Sequence, residues 1–203
     1  TWLDGEVWNK AAKTQALDFT QIGQLMGRMD VALKSFLHKG AQRSFLWDIA
    51  QAPAHTAFVH LIGDPATRTI VGSVLEKFEI QTASSLSRLP SQVIHNDAND
   101  YNILVDGNGV ISGLIDFGDF IKSHRICELA VACAYAMLGQ RDPVGRACDV
   151  VAGYHRVNPL LEEEIALLYD LIRVRLAESS CMAAQQYAAD PGNEYLLISQ
   201  KDV

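Results

Sequence analysis

Asp106-Gly107-Asn108-Gly109 separates two apolar, β-branched runs, Ile103–Val105 and Val110–Ile115. Glycine and asparagine tolerate the left-handed backbone of tight turns between antiparallel strands, so the stretch reads as a β-hairpin. This hairpin constrains the whole fold, because it brings together two chain ends that are crowded with costly polar groups. From Ile94 to Asp119 the chain carries five aspartates, four asparagines and one histidine. Burying unpaired carboxylates beside Ile103, Leu104, Val105, Leu114 and Ile115 is expensive. The hairpin ends are therefore expected to hold either a metal site or a heavily hydrogen-bonded turn.

Around the hairpin the apolar spacing is helical. Phe19, Ile22, Leu25, Met26, Met29, Leu33, Phe36 and Leu37 recur from Asp18 to about Leu37, with Asp18 and Gln21 spaced as a capping box. Pro65 to about Leu86 reads as a second helix with Ile70, Val74, Leu75 and Phe78 on its apolar face, and Pro90 closes the segment. After Arg125 everything reads as helix: Ile126–Leu138, Val144–Tyr154 and Leu160 to about Ala188. Asn158-Pro159 is expected to cap and open the last of these, with Glu162, Glu163 and Glu164 near its positive end. The expected fold class is α+β and mostly helical, one domain over residues 1–203 with the hairpin at its centre.

With 203 residues, 49% of them hydrophobic, the chain can bury a substantial core. Seventeen basic and 24 acidic residues leave a net charge of −7, with no Lys/Arg cluster to attract nucleic acid. The acidic balance suits a small cationic or zwitterionic substrate better. Cys127, Cys133, Cys148 and Cys181 form no CxxC and read as buried free thiols of a cytoplasmic protein. No apolar run reaches membrane-spanning length and no signal peptide is recognisable, so no membrane partner is expected. The chain opens at Thr1 without Met and closes on Lys201-Asp202-Val203, as expected of a piece of a longer protein.

Pairing about Gly107-Asn108 would set Val105 opposite Val110 and Asp116 opposite roughly Asn99–Asp100. Asp97, Asn102 and Asp116 then converge, although Asp116 follows the other two by 19 and 14 residues. Two carboxylates and an amide oxygen make a hard oxygen site, suited to Mg²⁺ or Mn²⁺ rather than zinc. Mg²⁺ keeps several waters and takes further ligands from phosphates, which points toward nucleotide chemistry. The spacing is more specific still. His95-x-Asp97 followed by Asn102 is H-x-D-x-x-x-x-N, the spacing of a kinase catalytic loop, and Asp116-Phe117-Gly118 supplies D-F-G beyond the hairpin. Either element alone is common; the ordered pair around a hairpin is not.

These motifs resemble the C-terminal lobe of the aminoglycoside phosphotransferase and choline kinase family, kin of the protein kinases. The nearest likeness is to the branch of hydroxylysine kinases and of phosphotransferase domains fused to bacterial class III aminotransferases. It rests on the run from Ile94 to Val105, on Leu114–Asp119, on Cys127–Ala132, and on Tyr135 with Met137. Weaker similarity extends through Ile22–Leu25, Leu46–Asp48 and Val151–Tyr154.

The resemblance implies a phosphotransferase with an alcohol acceptor, using ATP or GTP with Mg²⁺ or Mn²⁺. Asp97 matches the catalytic base, and Asn102 and Asp116 the metal ligands. His95, Asn99 and Asp100 support the loop, the last two as turn-forming side chains. Asp119 is a candidate for a substrate ammonium group; Glu128 is a second candidate substrate contact, with a helix cap or loop brace its favoured role. His38, His55, His60, His124 and His155 show no partner pattern. Trp2, Trp8 and Trp47 read as packing residues, and Arg173 and Arg175 as solvent or salt-bridge groups rather than phosphate ligands.

Two departures stand out. Asn96 occupies the place where relatives carry glycine, and asparagine tolerates the positive φ that a glycine there implies. Residues 1–17, opening Thr1-Trp2-Leu3-Asp4-Gly5, resemble the segment after a hinge between lobes, and no Gly-rich loop or strand-borne lysine precedes Asp18. The chain thus reads as a C-terminal lobe without its β-rich N-terminal partner and inactive alone. The acceptor is expected to be an amine-bearing hydroxyl compound. A non-catalytic docking module of an aminotransferase fusion is the alternative, and a metal-dependent phosphohydrolase built on His95 and Asp97 is a more distant one.

Overall fold

The computed structural model describes residues 3–190; Thr1, Trp2 and the closing Lys201-Asp202-Val203 lie outside the described residues. The described chain is mostly helical with two small antiparallel sheets, which agrees with the expected class.

Strand β1 (Glu6–Val7) and a single turn of helix, α1 (Trp8–Ala11), lead to α2 (Thr20–Leu33). Asp18 starts α2, its Oδ1 accepting from the Thr20 amide at 2.9 Å and the Thr20 hydroxyl at 2.7 Å. The expected capping box does not form. Gln21 Oε1 instead accepts the Ile111 amide at 3.0 Å, tethering the hairpin to α2. The helix also stops short of the expected end, and Phe36 and Leu37 are exposed rather than part of its apolar face.

Helix α2 crosses α6 (Pro143–Val157) at direct backbone contact. A Cβ on Gly23 would lie 1.8 Å from the Val150 carbonyl oxygen, and one on Gly153 would lie 2.0 Å from that of Thr20. Neither backbone can yield without separating the two helices. Gly23→Ala is therefore expected to cost about 3 kcal/mol of stability, read from the urea midpoint. A midpoint equal to the parent's would show that the helices do not pack this closely.

Helix α3 (Pro65–Lys77) is capped by Asp64, whose Oδ2 accepts the Thr67 amide at 2.7 Å. Its buried face is Val71, Val74 and Leu75, while Ile70 stands exposed. The expected single helix to Leu86 is interrupted by a wider π turn, Phe78–Thr82, before α4 (Ala83–Leu86).

Strand β2 (Ser91–Ile94) pairs with β5 (Ile121–His124), and β3 (Ile103–Val105) with β4 (Ile111–Leu114), β1 flanking β3. The hairpin forms as expected, but its register does not. Val105 faces Ile111 rather than Val110, with a bulge between Leu104 and Val105. Asp106 accounts for the difference: its Oδ1 accepts from both the Asn108 and Val110 amides, drawing Val110 into the turn.

Helix α5 (Arg125–Met137) is buried on nearly every side and forms the centre of the core. Helix α7 (Glu162–Ala189) packs along α5 and along a 3₁₀ stretch, Ile49–Leu61, capped by Asp48. Asn158 does not cap α7, which begins after Leu161. Asn158 Oδ1 and the Pro159 carbonyl accept instead from Arg125, whose guanidinium also makes a two-pronged pair with Glu164 at 2.7 and 2.6 Å. Three cysteines are buried as expected, but Cys148 is exposed on α6. Among the described residues no helix is long and apolar enough to cross a membrane.

Candidate active site

The loop between β2 and β3 leaves the sheet at Ile94 and turns at once, because Asn96 adopts φ +69°. That is the left-handed conformation asparagine accepts more readily than most residues. Glu128, on the first turn of α5, holds the corner: its Oε2 accepts the backbone amides of His95 (2.5 Å) and Asn96 (3.1 Å). Glu128 is fully buried and makes the contacts of a loop brace, the favoured of its two expected roles, rather than those of a substrate contact.

His95 is fully buried as well. Its Nε2 lies 3.1 Å from the Ile115 carbonyl and its Nδ1 3.3 Å from the Asp97 amide. Those partners require a neutral ring donating through Nε2 and accepting at Nδ1. Burial lowers the histidine's pKa and so favours the same form. The rings of Phe117 and Phe120 pack edge-on against it at 5.0 and 5.5 Å.

Asp97 is surrounded by donors. Oδ1 accepts from Asn99 Nδ2 at 2.9 Å and Arg175 Nη2 at 3.4 Å, and Oδ2 accepts from Asn102 Nδ2 at 2.7 Å. Asn99 shapes the turn as expected, its Oδ1 accepting the amides of Tyr101 and Asn102. Asp100 does something else. It reaches out of the loop, accepting from Asn9 Nδ2 at 2.6 Å and so docking α1, and burial raises its pKa.

The hairpin brings the two halves of the site together. The Ile115 amide donates to the Asn102 carbonyl at 2.9 Å, which sets Asp116 beside the loop that carries Asp97 and Asn102. Asp116 is itself left-handed, φ +61°, and its Oδ1 accepts the Gly118 amide at 3.2 Å, closing the turn Phe117–Asp119. Arg43 pins that turn from outside, donating to the Gly118 carbonyl at 2.7 Å. Asp119 is half-buried, and its pKa is raised by burial and by Asp97, with Asp116 adding to the effect and Arg175 and Arg43 opposing it.

Asn102 spends its amide nitrogen on Asp97, leaving its amide oxygen for a cation; Asp116 likewise retains one carboxylate oxygen. That donor set is hard and incomplete, as suits an ion completing its shell with water and phosphate. Among the described residues no three His, Cys, Asp or Glu side chains are grouped to hold a metal by themselves.

Some of the site was not anticipated. Of the two roles expected for Arg175, the salt-bridge one holds and the solvent one does not: it is 2% exposed, deep on α7, and reaches Asp97 from 78 positions along the chain. His55 lies beside it in the core, 2.6 Å from the Leu46 carbonyl and 3.7 Å from Glu178. The available signal was the pair Arg175 and Glu178 one turn apart among Leu171, Ile172, Val174, Leu176 and Ala177, where a buried charge demands an internal partner.

A helical lobe carrying an acid-bearing loop, a β-hairpin and a D-F-G turn has a kinase-like fold. Residues 1–164 match the phosphotransferase enzyme family, APH, and the chain belongs to that family. It is 31% identical over 194 residues to hydroxylysine kinase of Mus musculus, which covers 89% of this chain and 52% of the relative. It is also 34% identical over 161 residues to homoserine kinase of Methylobacillus glycogenes, covering 75% and 46%. The chain spans about half the length of the curated relatives it matches. Among solved structures, the GDP complex of aminoglycoside 2'-phosphotransferase-IIIa superposes with TM-score 0.68 at 13% identity, over 98% of this chain and 66% of that one. Amicoumacin kinase hAmiN superposes with TM-score 0.58 at 16% identity, over 84% and 51%. Likeness at such identity establishes the fold.

Proposed function

We propose that the protein containing this chain transfers the γ-phosphoryl group of ATP or GTP, with Mg²⁺ or Mn²⁺, to a hydroxyl of an amino alcohol or hydroxy amino acid. The observation that carries the reading is the Asp97 carboxylate, oriented on both oxygens beside the oxygen donors of Asn102 and Asp116. Hydroxylysine and homoserine, the acceptors named for the relatives, each join a hydroxyl to an amine.

Asp97 orients the acceptor hydroxyl and takes its proton as the new O–P bond forms and the bond from the γ-phosphorus to the β,γ-bridging oxygen breaks, releasing the nucleoside diphosphate. Asn102 and Asp116 hold the cation, which when bound neutralises charge on the phosphate oxygens. Asp119, half-buried near Asp97, is the residue that would meet the substrate ammonium in this reading. The loop that covers the phosphates belongs, in this reading, to a further lobe. Residues 1–203 alone are accordingly expected to turn over hydroxylysine little or not at all, and measurable turnover would overturn that part.

The test is acceptor-dependent nucleotide consumption by the full-length protein with hydroxylysine, ethanolamine, choline, homoserine and an aminoglycoside, each with ATP and GTP. Phosphorylation of at least one amine-bearing alcohol is expected. Silence across the panel would remove the proposal. Asp116→Ala should lower kcat/KM for the accepted substrate by about 100-fold and raise the Mg²⁺ needed for half-maximal rate. An unchanged Mg²⁺ requirement would take Asp116 out of the metal site.

A further inference from the structure

We propose that Arg175 is a positioning residue that holds the Asp97 carboxylate from the middle of α7, making that helix part of the phosphoryl-transfer machinery. The inference rests on the reading of Asp97 as catalytic base.

Asn99 and Asn102, which also bind Asp97, belong to the same loop and move with it. Arg175 comes from a separate helix and can fix the carboxylate relative to the body of the lobe. Its own position is tightly determined. The guanidinium lies over the Trp47 ring at 4.6 Å and near the Tyr135 ring at 5.8 Å, and Nη1 donates to the Trp47 carbonyl at 3.1 Å. The same carbonyl accepts from Asn96 Nδ2 at 3.1 Å, so a single oxygen ties Arg175 to the corner of the catalytic loop.

A purely structural role accounts poorly for this arrangement. Burying a guanidinium costs several kcal/mol, and an apolar side chain of similar volume stabilises such a site as well or better. The site does not satisfy the cation fully either, since Nε has no hydrogen-bond partner. Glu178 lies 3.8 Å away on the next turn, but neither of its oxygens makes a hydrogen bond. Burial pushes the Glu178 carboxyl up to about 8 against the pull of Arg175. With no hydrogen bond to Glu178, the guanidinium directs its Nη2 at Asp97 instead. The planar fork also matters, because a lysine ammonium is a point charge and cannot keep the same two-partner geometry.

The test uses the full-length protein. Arg175→Met should lower kcat by about 10- to 100-fold with KM for nucleotide within about twofold, as expected for a misaimed base. Arg175→Lys should fall between Arg175→Met and the parent. In an Asp97→Asn background, Arg175→Lys should cause no further loss, because its effect runs through the missing carboxylate. Parent-level kcat in either Arg175 variant overturns the inference, as does an equal loss in both backgrounds. Should Arg175→Met fail to fold by circular dichroism, the Arg175→Lys pair decides alone. A fully active Asp97→Asn enzyme would instead overturn the catalytic-base reading beneath it.

Discussion

Asp97→Asn in the full-length protein is expected to lower kcat by about 10²- to 10⁴-fold, the range for loss of a positioned general base. The loss has two sources. The amide cannot take the hydroxyl proton, and it cannot keep the orientation of the acid it replaces. Oδ1 of Asp97 faces the donors Asn99 Nδ2 and Arg175 Nη2, and Oδ2 faces Asn102 Nδ2. Whichever way the asparagine is turned, its NH₂ meets another donor, so the side chain must swing or a neighbour must give way. KM for nucleotide should stay within a few-fold, because the role proposed for Asp97 is on the acceptor side. Steady-state kinetics at saturating nucleotide distinguishes the outcomes, and parent-level turnover would refute the role.

Glu128→Ala is expected to cost about 4 kcal/mol of folding stability and to abolish turnover with it. Two buried backbone donors, the amides of His95 and Asn96, lose their acceptor at once, each worth roughly 1–3 kcal/mol when orphaned. Those amides set the corner from which Asp97 projects, so the loop should lose its geometry as well. Glu128→Gln keeps an accepting oxygen and separates hydrogen bonding from charge. Burial pushes the Glu128 carboxyl from its ordinary 4.5 to about 7, with the two amide bonds pulling the other way. A carboxyl raised in the folded state favours folding most below the unfolded value and loses that contribution as pH rises through the folded one. The parent should therefore lose stability relative to Glu128→Gln between about pH 4.5 and 7. Denaturant midpoints that keep a constant difference across that interval would contradict it.

Much of this fold could be read from residue spacing. The hairpin, the presence of the later helices and the two-part motif all follow from local rules of periodicity and turn chemistry. The misreadings have specific causes. Gln21 and Asn158 carry the residue types of caps, yet each spends its side chain on a distant partner, Ile111 and Arg125 respectively. Val110 was displaced from its strand because Asp106 captured its amide. Strands β1, β2 and β5 are not legible in the sequence, since runs of two to four residues are too short to show a period. Asp100 has the chemistry of a turn residue, but α1 was close enough to claim it.

By itself, the sequence determined the chemistry available at the site: an acid, an amide and a second acid at fixed spacings on either side of a tight turn. Turn preference and motif spacing are local, so they survive without knowledge of the fold. Only the tertiary structure decided which groups would face Asp97 and brace its loop. Arg175 reaches that carboxylate from α7 and Glu128 grips the corner from α5, contacts that span 78 and 32–33 positions. No periodic pattern encodes such pairings. They arise because burying a charge is tolerable only where packing supplies a partner, and packing is a property of the whole core.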